Sequence, residues 1–182
     1  MELLTPTELN LHLYLDALER ELAEGLETFH NSLEIIDKAR QDPSAFVATL
    51  NDPLGGRLIS LPGGIERPAL PSFTRWLFDS EICGTIQFRW QPGTAELPPW
   101  CLGHIGYQIF PWQRGKGLAT KQLDLMLEFT HSFGLPYIEL TTSPDNTASQ
   151  RVIAKNGGIF VRQIERENEY GGGSFNLYRI SQ

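Results

Sequence analysis

The sequence predicts an α/β (α+β) fold, in which a mixed, mostly antiparallel sheet with a central strand–helix–strand crossover is flanked by helices. Three patterns support this prediction. Apolar residues recur at helical spacing in the first fifty residues, strand-like alternation begins at Phe73, and a strand–helix–strand–helix order follows between residues 102 and 155. Because such a crossover joins parallel neighbours, we expect one parallel pair within the sheet.

The chain has 182 residues, enough for one domain with its own core. We interpret residues 1–182 as that single domain, with a helical part and a loop at 1–71 and the strand-rich core at 72–182. The hydrophobic fraction of 41% and the charged fraction of 20% are those of an ordinary globular protein.

The formal net charge of −7 bears on the partners. Nucleic-acid binding needs a basic face, so we expect no nucleic-acid partner. The charge mildly favours a cationic acceptor such as an amine, although acidity that only keeps the protein in solution explains it equally well. No apolar run approaches the roughly 20 residues of a membrane helix, and the first residues lack signal-peptide features, so we expect a cytoplasmic protein without a membrane partner. Cys83 and Cys101 have no metal-ligand spacing, and no metal is expected.

The N-terminal third is predicted to be helical. The apolar positions of its first helix are Leu11, Tyr14, Leu15, Leu18, Leu22 and Leu26. A second helix is predicted from Ser32 to Leu50, with a break near Asp42-Pro43. The Gly- and Pro-rich stretch Asn51–Pro71 is a connector over the surface or over a site, either a lid or merely mobile. The two helices and the strand-rich C-terminal part could each support a homodimer.

The strands of the core follow from alternation and from turn residues. Phe73–Phe78 and Ile82–Trp90 form a predicted hairpin, followed by a polar loop at Gln91–Pro99. The next strand, Leu102–Phe110, ends at Pro111, which cannot donate to a ladder.

The remaining elements alternate. A helix from Gly117 to Ser132 leads to a short buried strand, Tyr137–Thr142, and to a second helix that begins at Asn146 and ends at Lys155. Ile159–Glu167 and Phe175–Ile180 close the chain as a hairpin around three glycines.

The turn between the Leu102–Phe110 strand and its helix has the features of an anion site. Helix N-termini expose unpaired N–H groups and a positive dipole end. Gly115 and Gly117 let a phosphate approach the backbone, and Arg114 and Lys116 add positive charge. A diphosphate ligand fits this turn.

Two other interpretations of the turn stay open. A dinucleotide fingerprint needs a third glycine or alanine where Thr120 stands, although Glu139 lies near the position of a ribose-binding acid. The turn could also bind nothing. A Walker A loop is absent from the sequence.

The cofactor motif of the GNAT N-acetyltransferase superfamily is Arg or Gln, two residues, Gly, one residue, and Gly or Ala. Arg114, Gly117 and Ala119 resemble this motif. The resemblance implies that acetyl-CoA or CoA binds as co-substrate with its pyrophosphate on Arg114, Gly115, Lys116, Gly117, Leu118 and Ala119. It also implies that the preceding strand, 106–111, is splayed from the next and receives the pantetheine arm near Ile109 and Phe110.

A second stretch also resembles the family. Asn146 and Ser149, followed by Val152, Lys155 and a Gly-Gly pair, are similar to its Asn-x-x-Ser helix, whose Asn and Ser contact the pantetheine side of the cofactor. The resemblance covers roughly Phe73 to Ile180 and includes a Gly-His-Ile-Gly-Tyr strand at residues 103–107.

The sequence departs from the family at the general acid. Ile153 stands where many members have the tyrosine that protonates the CoA thiolate, and Tyr107, Tyr170 and Tyr178 are substitutes that the sequence does not rank. A thiolate leaves well enough for the acid to be dispensable.

Two residues are candidates for the general base, Glu139 and His104. For each, the alternative is a structural role, an ion pair or solvent-facing position for Glu139 and a hydrogen-bonded histidine for His104. A backbone N–H near Ile109 or Phe110 is expected to meet the developing oxyanion.

The resulting hypothesis is an acyl-CoA-dependent N-acyltransferase acting on a small-molecule or peptide amine by direct attack. The acceptor is expected to contact the two loops together with Arg89 and Trp100. Arg89 could pair with a substrate carboxylate or be only a strand-edge charge, and Trp100 could form a pocket wall or only pack. A non-catalytic acyl-CoA-binding module and a dinucleotide-binding enzyme are the alternatives.

Overall fold

The computed structural model describes residues 1–26, 31–61 and 64–182. Three single-turn 3₁₀ segments supplement the regular elements. These elements, in chain order, are β1 (Glu2–Leu4), α1 (Leu11–Ala23), α2 (Ser32–Gln41), α3 (Pro43–Leu50), β2 (Asn51–Asp52), β3 (Leu58–Ser60), β4 (Glu66–Pro68), β5 (Ser72–Asp79), β6 (Glu81–Arg89), β7 (Ile105–Ile109), α4 (Leu118–Thr130), β8 (Tyr137–Thr142), α5 (Thr147–Lys155), β9 (Ile159–Glu165) and β10 (Ser174–Ser181).

The strands form two main sheets. The first has the order β1-β5-β6-β7, with β2 also on β5, and the second has the order β8-β10-β9. Each ladder between the described strands is antiparallel. The predicted mixed α/β fold is confirmed, and the crossover runs from β7 through α4 to β8.

The expected parallel ladder between β7 and β8 does not form. The two strands lie in different sheets and join only at their near end, where Gly103 bridges Leu140 and the His104 N–H donates to the Glu139 carbonyl at 2.7 Å. Beyond this point the strands separate. A cleft therefore opens in the middle of the molecule, where a continuous sheet would have closed it.

Two apolar layers hold the helices against the sheets. Leu123 and Met126 of α4 and Ile153 of α5 are fully buried against strand residues such as Phe88 and Ile138. On the other side, α1 and α2 form a second cluster around Trp76, whose ring stacks on that of Tyr14 at 4.7 Å. Burial of apolar side chains on both faces accounts for the stability of this arrangement.

The N-terminal third differs from its prediction in one place and agrees with it in another. Glu2–Leu4 forms an edge strand on β5. This strand was not predicted, because it is too short to show a periodic pattern. The predicted break at Pro43 is confirmed, because Asp42 ends α2 and its Oδ1 caps α3 by accepting from the Ala45 N–H at 2.9 Å. None of the helices in the described residues is long and apolar enough to cross a membrane.

The stretch Asn51–Pro71 is more ordered than a plain connector. It contains β2 and the β3–β4 hairpin, and its Ala69 and Pro71 are buried. Its Pro62 and Gly63 lie outside the described residues.

Candidate active site

The predicted anion-binding turn between β7 and α4 is a tight turn with two glycines. Pro111–Gln113 make a 3₁₀ turn, Gly115 and Gly117 have φ values of 76° and 78°, and α4 begins at Leu118. A Cβ atom at either glycine would meet nothing within 4 Å, so the turn is open on its outer side. Within the described chain, the N–H groups of residues 115–119 donate no backbone hydrogen bond, whereas those of Thr120 and Lys121 donate to the Gly117 carbonyl.

A cavity of about 290 Å³ lies against this turn. Arg114 lines it from the turn, and Arg151 and Lys155 line it from α5, while none of its described lining residues is acidic. The Arg114 Nε donates to the Ile109 carbonyl at 3.2 Å, and the Lys116 Nζ donates to Gln113 at 2.8 Å. A basic cavity at a helix N-terminus, in a chain of net charge −7, suits a polyanionic ligand.

The cleft between β7 and β8 offers backbone groups to a ligand. At the end of β7 the Phe110 N–H donates to the Cys83 carbonyl of β6 at 2.9 Å. Backbone groups alternate in direction along an antiparallel strand, so those of Ile105, Tyr107 and Ile109 point away from β6 and into the cleft. Phe110 is therefore not a free donor, and its buried ring stacks on Trp112. Of the two residues expected at the pantetheine arm, only Ile109 directs its N–H into the cleft.

The Asn-x-x-Ser helix lines this cleft. Asn146 and Ser149 border a cavity of about 320 Å³ together with Tyr107. The Asn146 Oδ1 caps α5 by accepting from the Ser149 N–H at 3.0 Å, which is the local role expected of an Asn before a helix. The Ser149 Oγ lies 2.8 Å from the Tyr107 hydroxyl across the cleft. Burial raises the pKa of Tyr107 and the Ser149 hydrogen bond opposes the shift, so the hydroxyl is protonated at neutral pH.

Of the three tyrosines that could serve as general acid in place of Ile153, Tyr107 is the one that reaches the cleft. Tyr178 lies in β10, where its ring packs edge-on against Phe160. Tyr170 follows β9 and lies beneath the Arg67 guanidinium. Ile153 is fully buried in the core between α5 and the sheet, where it contributes packing.

Glu139 lies on β8 with its carboxylate in an ion pair. Its Oε1 accepts from Arg179 Nη2 at 2.7 Å and from Nε at 3.3 Å, and its side chain is 16% exposed. Ile138 and Leu140, its neighbours on β8, face α4 and α5, so Glu139 faces the opposite side of the strand. It does not border the cavity that holds Tyr107 and Ser149.

His104 is fully buried and lies beside Glu139. Its Nδ1 accepts from the Glu139 N–H at 3.0 Å, which joins β7 to β8 at the point where they begin to separate. Its Nε2 is also buried, with the Ala95 backbone nearby and no hydrogen bond of good geometry in the described residues. Burial lowers the pKa of His104 to about 4, against the smaller raising effects of the Glu139 charge and the Ala95 backbone. The burial and the engaged Nδ1 disfavour direct contact with a substrate.

The buried His104 makes stability dependent on pH. Its folded-state pKa of about 4 lies below the usual value of about 6.5, so the unfolded chain takes up a proton between these pH values and the folded protein does not. We expect up to about 3 kcal/mol of stability to be present above pH 6.5 and lost as the pH falls to 4. Urea unfolding measured at pH 7.5, 5.5 and 4.5 tests this loss.

A matched variant isolates this contribution. His104→Asn keeps a hydrogen-bond acceptor near the Glu139 N–H but does not titrate, so its stability should fall less between pH 7.5 and 4.5. The exposed His131 provides the control, because His131→Asn should follow the wild-type pH profile. Identical profiles for wild type and His104→Asn would contradict the assignment.

Several residues at the site were missed by sequence reasoning. Arg151 lines the basic cavity, and Asn156 joins α5 to α4 by donating to the Thr120 carbonyl at 3.2 Å. The signal for Arg151 was its helical spacing with Ala148 and Lys155, which places all three on one face. Asn156 shows no such signal, because its partner is 36 residues away.

The comparisons with known proteins agree with this architecture. The family model of the acetyltransferase (GNAT) domain matches residues 65–159, more than half of the chain. The L-2,4-diaminobutyric acid acetyltransferase of Streptomyces avermitilis is 40% identical over 76 residues, which cover 37% of this chain and 42% of that protein. The match therefore spans less than half the length of that curated relative.

Solved structures show the same fold at low sequence identity. Mycobacterium smegmatis RimJ, in complex with CoA-disulfide, has a TM-score of 0.66 at 16% identity, covering 98% of this chain and 80% of its own. The microcin C7 self-immunity acetyltransferase MccE, in complex with acetyl-CoA and AMP, has a TM-score of 0.65 at 12% identity, covering 99% and 91%. The aminoglycoside acetyltransferase AAC(6′)-Ib, in complex with coenzyme A, has a TM-score of 0.58 at 16% identity, covering 100% and 94%. The chain belongs to the GNAT acetyltransferase family.

Proposed function

We propose that the protein is an N-acyltransferase that moves the acyl group of an acyl-CoA, with acetyl-CoA as the preferred candidate, to a primary amine by direct attack. One observation supports this proposal above the others. The open glycine turn at the start of α4 directly follows β7. Along β7, a cleft exposes backbone groups that are not paired with a neighbouring strand. A ligand with a diphosphate at one end and an amide-containing arm at the other matches both parts.

The residues present fit such a donor. Arg114, Gly115 and Gly117 would hold the pyrophosphate, with Lys116 beside them and Arg151 and Lys155 adding charge from α5. Because Gly115 and Gly117 leave open space, the phosphates can approach the backbone N–H groups directly.

The bound donor supplies a thioester whose acyl carbon accepts the amine. The N–H of Ile109 points into the cleft and would stabilise negative charge that develops on the acyl oxygen. A new C–N bond would form as the C–S bond breaks, and we propose that the Tyr107 hydroxyl gives its proton to the departing thiolate. Glu139 is the better placed of the two candidate bases, because its side chain retains some exposure and His104 does not. We propose that Glu139 receives the ammonium proton through water.

A covalent enzyme intermediate is disfavoured. Cys83 is buried in the apolar cluster beneath Leu118, and burial raises the pKa of its thiol. Burial likewise raises the pKa of Cys101. Both thiols are therefore protonated at neutral pH, and the thiolate form is the nucleophile.

The acceptor is proposed to be a small amine or a peptide amine. The Streptomyces relative is named for an amino acid with a second amino group, and that match favours amino-acid amines among the small candidates. The net charge of −7 favours the approach of a cationic acceptor.

The first experiment measures the binding of acetyl-CoA by thermal shift and by calorimetry, with NAD and ATP as controls. A ligand that binds only the folded state stabilises it by RT ln(1 + [L]/Kd), so acetyl-CoA and CoA should raise the melting temperature and NAD should not. Release of CoA with a panel of amines then tests turnover, and Glu139→Gln in the same assay tests the proton path. No response to acetyl-CoA at millimolar concentration would overturn the proposal.

A second candidate function is an acyl-CoA-binding module without turnover. The fully buried Ile153 favours it, because this side chain cannot protonate a thiolate. Binding of acetyl-CoA with no CoA release in the presence of any amine would support the module over the enzyme.

Tyr107→Phe tests the assignment of the general acid. Loss of the hydroxyl removes the proton donor and the bond to Ser149 but keeps the ring, so we expect kcat to fall by about 100-fold with little change in the Kd of acetyl-CoA. Tyr178→Phe is the matched control, because its ring lies in the β10 layer outside the cleft, and its kcat should stay near that of wild type. An unchanged kcat in Tyr107→Phe would show that the thiolate leaves without this acid.

A further inference from the structure

A separate cavity lies on the other face of the first sheet, beneath the β3–β4 hairpin. Its volume is about 330 Å³. Ser72 of β5 and Gln87 and Arg89 of β6 form its floor, and residues of the hairpin stretch and of the segment around Trp100 cover it. Arg166, which follows β9, closes one side. The cavity is thus built from four segments that are distant in sequence.

The charged side chains that line this cavity are all positive. Three guanidinium groups, of Arg57, Arg89 and Arg166, line it, and no Asp or Glu is among its described lining residues. The Nε atoms of Arg89 and Arg166 are buried and have no hydrogen-bond partner in the described part of the chain. Arg166 does donate from Nη2 to the Trp100 carbonyl at 3.2 Å, and Arg57 has a long ion pair with Asp52 at 3.8 Å.

Buried guanidinium N–H groups without a partner, such as the Nε–H of Arg89 and of Arg166, are unfavourable in a shared cavity without an anion. A buried donor without a partner loses its hydration and gains no hydrogen bond in return, and neighbouring positive charges repel each other. The planar fork of Arg matches a carboxylate with two parallel hydrogen bonds. In a chain with net charge −7, three arginines facing one cavity are a local exception that a bound anion would explain.

The cavity also lies next to the cleft of the proposed reaction. The Arg89 Nη2 lies 2.9 Å from the position that a Cβ of Gly106 would occupy, so the guanidinium covers this glycine directly. Gly106 is on β7 and borders the cavity that contains Tyr107 and Ser149. Leu102 borders both cavities. An anionic group held by Arg89 is therefore held beside the cleft into which the acyl group is directed.

We infer that the Arg57–Arg89–Arg166 cavity is the acceptor subsite, and that it selects amines that carry a carboxylate, such as amino acids or compounds of similar size. This inference rests on the proposed acyltransferase function and adds the substrate class. The carboxylate binds the three guanidinium groups, and the amine extends past Gly106 to the acyl carbon.

Matched pairs of amines test the inference. Each pair contains an amino acid and its decarboxylated analogue, for example lysine with cadaverine and 2,4-diaminobutyrate with 1,3-diaminopropane. With wild-type protein and acetyl-CoA, kcat/KM should be at least about tenfold higher for the carboxylated member of the preferred pair, because only that member forms charge-assisted bonds to the arginines. Equal or better use of the decarboxylated members would overturn the inference.

Charge-neutral variants assign the effect to this cavity. Arg89→Gln and Arg166→Gln should each lower kcat/KM for the preferred amino acid by about tenfold to 100-fold and change the decarboxylated amine by less than about threefold. Arg162→Gln is the matched control, since Arg162 is exposed on β9 and its replacement removes the same charge outside the cavity. Equal losses for both amines would contradict selection by the carboxylate.

The failure of this inference and the failure of the proposed function give different results. Acetyl-CoA binding is measured separately and should be unchanged in Arg89→Gln, because the donor turn lies at the start of α4. If acetyl-CoA binds but no amine is consumed, calorimetry with the same amine pairs still decides the question. Binding of the amino acids that is lost in Arg89→Gln supports the subsite, and absence of such binding overturns it.

Discussion

Replacing Gly117 with glutamate is expected to weaken acetyl-CoA binding by at least about 100-fold while the protein still folds. The glycine has a φ of 78° and immediately precedes the first residue of α4, so a side chain there projects over the free N–H groups of the helix start. Nothing lies within 4 Å of the new Cβ, so the fold has room for the substitution. In the proposed donor site, a carboxylate at this position would repel the pyrophosphate. Calorimetric titration with acetyl-CoA measures the loss.

Two further variants separate charge from backbone strain. An L side chain at positive φ costs on the order of 1 kcal/mol wherever it occurs. Gly134→Glu places the same side chain at a φ of 65°, again with nothing within 4 Å, but after α4 and away from the turn. It should show a similar fall in stability with wild-type affinity. Gly117→Ala should lose much less affinity than Gly117→Glu, and wild-type binding by Gly117→Glu would remove the turn from the cofactor site.

Replacing Gly84 with alanine is expected to destabilise the protein by about 3 kcal/mol, the upper end of the range typical of forced overpacking. A Cβ at Gly84 would lie 2.2 Å from the Gln108 carbonyl oxygen and 3.0 Å from the Ile109 Cα. Both atoms belong to the backbone of β7, which pairs Ile109 with Gly84, so the clash cannot be relieved by a side-chain rotation. The strand must move, and it is the strand that presents Ile109 to the cleft.

Denaturant unfolding and cofactor binding together test this prediction. We expect a lower unfolding midpoint and, in the fraction that remains folded, weaker acetyl-CoA binding, because β7 is displaced. Thr85→Ala is the control, since it changes the adjacent residue of the same strand without adding atoms, and it should cost less than about 1 kcal/mol. A loss of less than 1 kcal/mol in Gly84→Ala would mean that β6 and β7 are packed less closely than the structure indicates.

Much of the fold could be predicted because its signals are local. The β5–β6 hairpin, the α4 helix and β8 follow from alternation, helical spacing and flanking glycines or prolines, and the structure places them within a few residues of their predicted bounds. The short β1 was missed, because three residues carry no measurable periodicity and its pairing with β5 is about 70 residues distant. The parallel ladder was wrong for a related reason. A crossover predicts that two strands are neighbours but does not predict that they remain hydrogen-bonded along their length.

The candidate site also combines features that the local sequence predicted with features that it did not. The tight turn at Gly115 and Gly117 and the cap formed by Asn146 depend on neighbours in sequence, and their residue types predicted them. The alternatives for acid and base could not be ranked from sequence. The contact of Tyr107 with Ser149 spans 42 residues, and the contact of His104 with the Glu139 N–H spans 35. Each of these contacts forms only when α5 or β8 packs beside β7.

The sequence by itself determined the order of the strands and helices from Phe73 onwards, the glycine turn at the helix start and the resemblance to one family of acyl-CoA enzymes. These features depend on backbone preferences and spacing within about fifteen residues. Only the tertiary structure decided that β7 and β8 separate, that His104 is buried and that Arg57, Arg89 and Arg166 face one cavity. Burial, shared charge and hydrogen bonding between distant segments arise from packing in three dimensions, and no local pattern of residue types encodes them.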